Sequence, residues 1–201
     1  MRVIQLILAL FICINTSAQN QDIELLRSIN IGRNNSLDPM FQVFSESATP
    51  ITLCAPSLLF VSGILKKDTS LALKAIQLGS GIAIASLITT SAKYLAKRDR
   101  PYITYPEIEK MSSGGSYSFP SGHTSSAFST ATGISLLYPK WYVIIPAYSW
   151  ASAVAYSRMH LGVHYPTDVL AGAVIGSGSA YASYKLNNWL LKKCSNKKNK
   201  R

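Results

Sequence analysis

All three histidines of this chain, His123, His160 and His164, fall in two short polar stretches that also hold a cluster of cations. The first stretch opens with Lys93, Arg100 and Pro101 and closes with Pro120, Ser121, Gly122 and His123. The second runs from Ser157 and Arg158 through His160 and His164 to Asp168. Lys93 and Arg100 suit the non-bridging oxygens of a phosphate: arginine clamps two oxygens with its planar fork, and lysine acts as a point charge. If the helix carrying Lys93 continues to Arg100, two turns place both on one face, and Pro101 stops it.

Ser121 is a candidate N-cap, and Gly122 lets a ligand approach the backbone. A helix starting there presents free amides and a partial positive charge, which is an anion site with His123 at its rim. Downstream, His160, His164 and Asp168 form an HxxxHxxxD pattern that a metal ion could use on a continuous helix. Pro166 argues against that helix, because its ring would clash with the carbonyl of Gly162. The alternative is an irregular stretch over 157–165 and a new helix near Pro166, a favoured first-turn residue. Asp168 then accepts a hydrogen bond from His164 and fixes the tautomer of a nucleophilic imidazole.

The elements that must position these residues are apolar. Hydrophobic residues make up 48% of the chain and charged residues 14%, against about 25% charged in an ordinary soluble domain. Five apolar segments are expected to be helices: 49–65, 71–92, 124–138, 141–156 and 167–186. The second would extend about 33 Å, enough to cross hydrocarbon. The third and fifth are rich in Ser, Thr, Gly and Ala, which permit close helix packing in lipid and would equally suit a soluble bundle. With the N-terminus outside, Lys66, Lys67, Lys140 and the basic C-terminus all fall inside, as the positive-inside rule requires. Both histidine-bearing stretches then lie outside. The exception is the basic cluster over 93–100, where Lys97 and Arg98 are assigned to lipid headgroups.

Met1 to Ala18 reads as an export signal or signal anchor. Ile23, Leu25, Leu26, Ile29 and Ile31 predict a short amphipathic helix at the membrane surface, with Asp38-Pro39 as a break after it. Cys13, Cys54 and Cys194 form no disulfide framework and no CxxC metal spacing. The net charge of +11 is concentrated in the tail from Lys185 to Arg201. Without aromatic–basic interleaving or a nucleic-acid motif, it reads as a topology signal rather than an RNA or DNA surface.

Together the two stretches resemble the type 2 phosphatidic acid phosphatase superfamily, in its membrane lipid phosphatase branch. The signature Lys-x6-Arg-Pro, Pro-Ser-Gly-His and Ser-Arg-x5-His-x3-Asp is matched at every position, by Lys93, Arg100, Pro101, Pro120 to His123, Ser157, Arg158, His164 and Asp168. The resemblance implies that His164 attacks phosphorus, Asp168 orients it, and His123 protonates the leaving oxygen and later activates water. It implies that Lys93, Arg100, Ser121, Gly122 and Arg158 hold the phosphate, with no metal and no cofactor. His160 occupies a variable position and is given no role.

The expectation is an all-α, membrane-embedded bundle of about five transmembrane helices that hydrolyses a lipid phosphate monoester or diphosphate on the external face. Residues 1–18 form the signal, 19–48 an external segment, 49–191 the phosphatase domain and 192–201 a basic cytoplasmic tail. The competing readings are a soluble exported acid phosphatase of the same superfamily and a non-catalytic membrane transport or scaffold protein. Neither the lipid nor the oligomeric state follows from the sequence.

Overall fold

The computed structural model describes residues 20–198, all helices, turns and loops. The expected signal over 1–18 and the last residues of the tail lie outside the described residues. Helix α1 (20–30) leads through a short 3-10 turn, Asn35–Leu37, into α2 (Asp38–Leu65) and α3 (Thr69–Ala96). A one-turn α4 (Pro101–Thr104) precedes the long loop to α5 (Gly122–Leu137), α6 (Trp141–His160) and α7 (Pro166–Lys198).

The helix boundaries follow from local chemistry. Asp38-Pro39 opens α2 instead of breaking the chain, with proline in the first turn where its missing N–H costs nothing. That helix therefore starts well before the apolar run at Thr49 and carries Pro50 and Pro56 inside it. It ends at Lys66-Lys67, where Lys67 takes a left-handed φ of 52°. Asp68 then caps α3 by accepting the Leu71 N–H at 3.1 Å.

Helix α5 occupies the centre, packed on α2, α3, α6 and α7. Its small residues make that possible. Ala127 and Ala131 pack with Ala48 of α2 and Ala151 and Val154 of α6. On the α7 side, a Cβ added at Gly172 would sit 2.6 Å from the Ser121 carbonyl oxygen. The Ser- and Gly-rich composition of α5 and α7 is thus a condition of close packing rather than a sign of weak helices.

Two ends of the bundle are distinct. Thr69, Leu137 and Leu191 line one cavity, so the α2–α3 turn, the end of α5 and the end of α7 share one end. The stretches 97–121 and 161–165 gather at the other. Helices α2 and α3 are long and apolar enough to cross a membrane. Leu53, Leu58, Leu65, Leu87, Trp141 and Val174 are exposed on the outside of the bundle. An apolar surface of that extent suits lipid rather than water.

Helix α1 forms where the amphipathic pattern predicts. It does not lie free at the surface: Ile23 and Leu26 are buried against Ile108 and Tyr165 of the two loops. Burying side chains of this size contributes roughly 1.5–3 kcal/mol each.

Candidate active site

The two stretches converge, but not through the helix the spacing suggested. Helix α3 ends at Ala96, because Lys97 adopts a left-handed φ of 48°. Lys93 and Arg100 therefore do not share a helical face. The loop segment 116–118 brings them together. Lys93 Nζ donates to the Tyr117 carbonyl at 2.5 Å, and Arg100 Nε donates to the Ser116 carbonyl at 2.8 Å.

Arg100 also anchors the second loop, donating from Nη1 to the Val163 carbonyl at 2.9 Å. The same Nη1 lies 3.4 Å from His164 Nε2. Arg158 sits in the last turn of α6, which continues to His160, so the irregular stretch is only 161–165. Its Nη1 donates to Ser45 Oγ of α2 and to Ser112 Oγ. Its Nε is buried and without a partner among the described residues. Gly162 makes the turn out of α6 at a φ of +70°, where a Cβ would collide with the Glu109 carbonyl.

Lys93, Arg100 and Arg158 are each less than a tenth exposed. Their hydrogen-bond partners are carbonyls and hydroxyls rather than carboxylates. Burying cations without a directly paired carboxylate is costly, and a bound anion lowers the cost. Ser121 and Gly122 complete the wall. Ser121 is the N-cap of α5, but its hydroxyl accepts from Thr124 Oγ1 at 3.0 Å and caps no amide. Its N–H donates to the Asp168 carbonyl at 2.9 Å, which locks the start of α5 to the start of α7. His123 lies in the first turn of α5, close enough to Arg158, Arg100 and Lys93 for all three to act on it electrostatically.

His164 is buried in the 161–165 turn, and burial pushes its imidazole down to about 3 despite the opposing pull of Asp168. It is a neutral imidazole at ordinary pH. Its Nδ1 lies 3.4 Å from Asp168 Oδ2, the contact expected from the spacing. Ser118 Oγ stands 3.4 Å from the same Nδ1 and donates to Asp168 Oδ2 at 2.5 Å. A separation of 3.4 Å is long for a hydrogen bond, and such contacts tighten when substrate binds.

One expectation about the cations needs correction, and the rival metal pattern is not assembled. Arg98 does not face lipid headgroups: it donates to Asp168 Oδ1 at 2.8 Å and to Asp22 Oδ2 at 2.6 Å. His160 points elsewhere than His164, with Nε2 2.7 Å from Asp38 Oδ1. The HxxxHxxxD residues therefore do not converge, and no three metal-binding side chains cluster among the described residues. Sequence reasoning missed Ser118, Ser45, Ser112 and Asp22. Ser118 lies two residues before Pro120 of the Pro120–His123 motif, so position in sequence could have pointed to it. Nothing in sequence spacing links Asp22 or Ser45 to the site.

Beside this cluster lie two cavities, about 430 Å³ next to Arg100 and about 200 Å³ next to Lys93 and Gly122. Both are lined by Tyr94 and Ser116. The arrangement can hold a phosphoryl group against a neutral imidazole and leave room for a larger substituent.

A profile of the PAP2 superfamily matches residues 74–192, and the chain belongs to that superfamily. It is similar to the undecaprenyl-diphosphatase of Sulfolobus acidocaldarius, with 28% identity covering 91% of this chain and 87% of that protein. It is similar to the lipid A 4'-phosphatase of Porphyromonas gingivalis, with 28% identity covering 85% and 76%. Among solved structures, Aquifex aeolicus LpxE superposes with a TM-score of 0.72 at 30% identity, covering 82% of this chain and 95% of that one. The transmembrane PAP2-type phosphatidylglycerolphosphate phosphatase of Bacillus subtilis gives 0.71 at 21% identity, covering 86% and 87%, a likeness of fold. The all-α bundle and its enzyme class, a hydrolase, follow from these relations.

Proposed function

We propose that the protein hydrolyses a phosphate monoester or diphosphate carried by a lipid, through a phosphohistidine, on the external face of a membrane. His164 Nε2 attacks phosphorus while Asp168 holds the proton-bearing Nδ1. The phosphorus–oxygen bond to the lipid breaks as His123 gives its proton to the leaving oxygen. His123 then takes a proton from water, which attacks the phosphohistidine. The phosphorus–nitrogen bond breaks, phosphate is released and His164 is again neutral. Lys93, Arg100 and Arg158, with Ser121 and the amides at Gly122, bind the phosphoryl oxygens and meet the charge that develops on them.

The observation that carries this reading is a set of three buried cations without carboxylate hydrogen-bond partners, one of which, Arg100, stands 3.4 Å from Nε2 of the buried His164. Named lipid phosphatases among the relatives favour a lipid substrate, as does the apolar exterior of the bundle. Lys66, Lys67 and Lys140 at the end opposite the site favour the external face.

The test is phosphate release by purified protein from a panel of phosphatidate, undecaprenyl diphosphate and lipid A. Activity should survive EDTA and be inhibited by vanadate, which mimics pentacoordinate phosphorus. Loss on EDTA with recovery on adding metal rejects the phosphohistidine route. For the face, single cysteines at Gly115 and Asn199 in a background lacking native cysteines can be labelled in intact cells. An impermeant reagent should reach 115 and not 199, and the reverse result overturns the topology.

A further inference from the structure

We propose that Arg98 and Asp22 are positioning residues for this reaction. They form a guanidinium–carboxylate link that fixes Asp168 against His164 and makes the docked α1 helix part of the working site. The inference rests on the roles proposed above for His164 and Asp168.

The contacts form a closed chain. Asp168 is fully buried, and both of its oxygens are held. Oδ1 accepts from Arg98 Nη1, while Oδ2 accepts from Ser118 Oγ and from the Tyr165 N–H at 3.0 Å. A carboxylate held at both oxygens cannot rotate, so Oδ2 stays turned toward His164 Nδ1. Arg98 is itself fixed. Its guanidinium carbon lies 3.7 Å from the centre of the Tyr165 ring, within cation–π range. Its Nη2 reaches Asp22 Oδ2 at 2.6 Å.

Asp22 closes the chain from a different element. It is 5% exposed, on the docked face of α1 beside Ile23 and Leu26. Its oxygens accept from the Thr167 N–H at 2.9 Å and from Thr167 Oγ1 at 2.5 Å, in the first turn of α7 directly before Asp168. A helix that only packed would place an apolar residue there, since a buried carboxylate costs stability unless it is paired. Asp22 instead satisfies an orphan amide of α7 and orients the arginine that holds Asp168.

The charge arrangement serves the same end. One guanidinium shared between two carboxylates restrains Asp168 without cancelling its charge on His164. Burial pulls the Arg98 guanidinium down, but Asp168 and Asp22 outweigh it and leave it above its ordinary value, so it stays charged. The other charged groups bearing on Asp168 or His164 are Lys93 from α3, Arg100 from the first loop and Arg158 from α6.

The experiment uses the full chain in detergent micelles. It measures single-turnover phosphoenzyme formation on the lipid substrate, its pH profile, and competitive inhibition by inorganic phosphate. Carboxylates and other groups that orient a histidine at metal sites are worth about 10–100-fold, which sets the scale here. Arg98→Gln should slow the first step by that order, Asp22→Asn by about tenfold, and Arg98→Lys by less than Arg98→Gln. Inhibition by phosphate should stay within about twofold throughout, because Lys93, Arg100 and Arg158 are untouched. The acid limbs should move in opposite directions. Arg98→Gln strengthens the field of Asp168 on His164 and moves the limb to higher pH. Asp22→Asn frees Arg98 to neutralise Asp168 and moves it lower.

Leu26→Ala loosens α1 by packing alone and should shift neither limb. First-step rates within twofold of the unmodified enzyme in Arg98→Gln overturn the proposal. So do limb shifts of one sign in both variants, or the same shift in Leu26→Ala. A variant that no longer binds phosphate has lost its fold, and the comparison of Arg98→Lys with Asp22→Asn then decides. If the unmodified protein releases phosphate from no lipid and forms no phosphoenzyme, it is the reading of the reaction that fails instead.

Discussion

The molecule contains two buried histidine–aspartate–arginine groups four residues apart in sequence, and only one is proposed to do chemistry. His164 faces Asp168, which Arg98 holds at 2.8 Å. His160 faces Asp38, which Arg33 holds at 3.0 Å. By distance the second group is better made, with 2.7 Å against 3.4 Å between histidine and carboxylate. The difference lies in the surroundings of each ring. Arg100 stands beside His164 Nε2, and Lys93 and Arg158 complete a pocket of buried cations. The ring of His160 is enclosed by Phe41 at 4.3 Å and Tyr156 at 6.1 Å. A His–Asp–Arg relay is therefore a way of holding an imidazole. What the imidazole can do depends on what its other edge meets.

Removing each histidine sharpens that contrast. His164→Ala should abolish the phosphoenzyme on every substrate, since no other histidine among the described residues stands against Asp168. Labelling after an alkaline quench reads this directly, since a phosphohistidine survives base and is lost in acid, and a residual labelled enzyme would move the nucleophile elsewhere. His123→Ala should leave the nucleophile intact and remove the proton donor. General acid catalysis is worth about 10²–10⁴-fold, so formation of phosphoenzyme from a lipid alcohol ester should fall by that order. On p-nitrophenyl phosphate, whose leaving group needs little protonation, the loss should be much smaller. Rapid-quench measurement of the first step compares the two, and equal losses would leave His123 as a pocket residue only.

His160→Gln breaks the better-made pair. It should cost about 1–3 kcal/mol of stability, the scale of a buried partner left unsatisfied, with kcat within about twofold. Thermal unfolding and turnover on the same sample test this, and a tenfold loss of kcat with unchanged Tm would erase the distinction between the groups.

The smallest effect concerns pH. His164 titrates near 3 when folded and near its ordinary 6.5 when unfolded. On acidification the unfolded chain takes up the proton first. The stability that neutral His164 supports is present above about pH 6.5 and is lost progressively as pH falls toward 3. His164→Asn should flatten the fall of Tm between about pH 6.5 and 4, and an unchanged slope would mean that the buried imidazole is not the group responsible.

Much of the site was legible in the sequence because its chemistry is local or repeated. Pro166 as a first-turn residue, Asp168 one turn after His164, and the start of α5 at Ser121-Gly122 all follow from backbone rules that act within a few residues. The apolar runs fixed which segments become helices, and their small residues announced close packing around α5. Long-range choices were not legible. Lys97 ended α3 through a left-handed φ that the apolar pattern does not encode, so Lys93 and Arg100 meet through carbonyls of 116–118 rather than along a helix. Arg98 and Lys97 look alike in sequence, yet only Arg98 is turned inward, because Asp22 and Asp168 await it there. Asp38-Pro39 reads as a break in the sequence, yet it opens α2, and Asp38 there pairs with Arg33 and His160. The sequence by itself determined which residue types were available and where helices could begin. The tertiary structure decided which carboxylate each cation and each histidine would find, because those pairings span many tens of residues and form only when α1, α2 and the two loops close on one another.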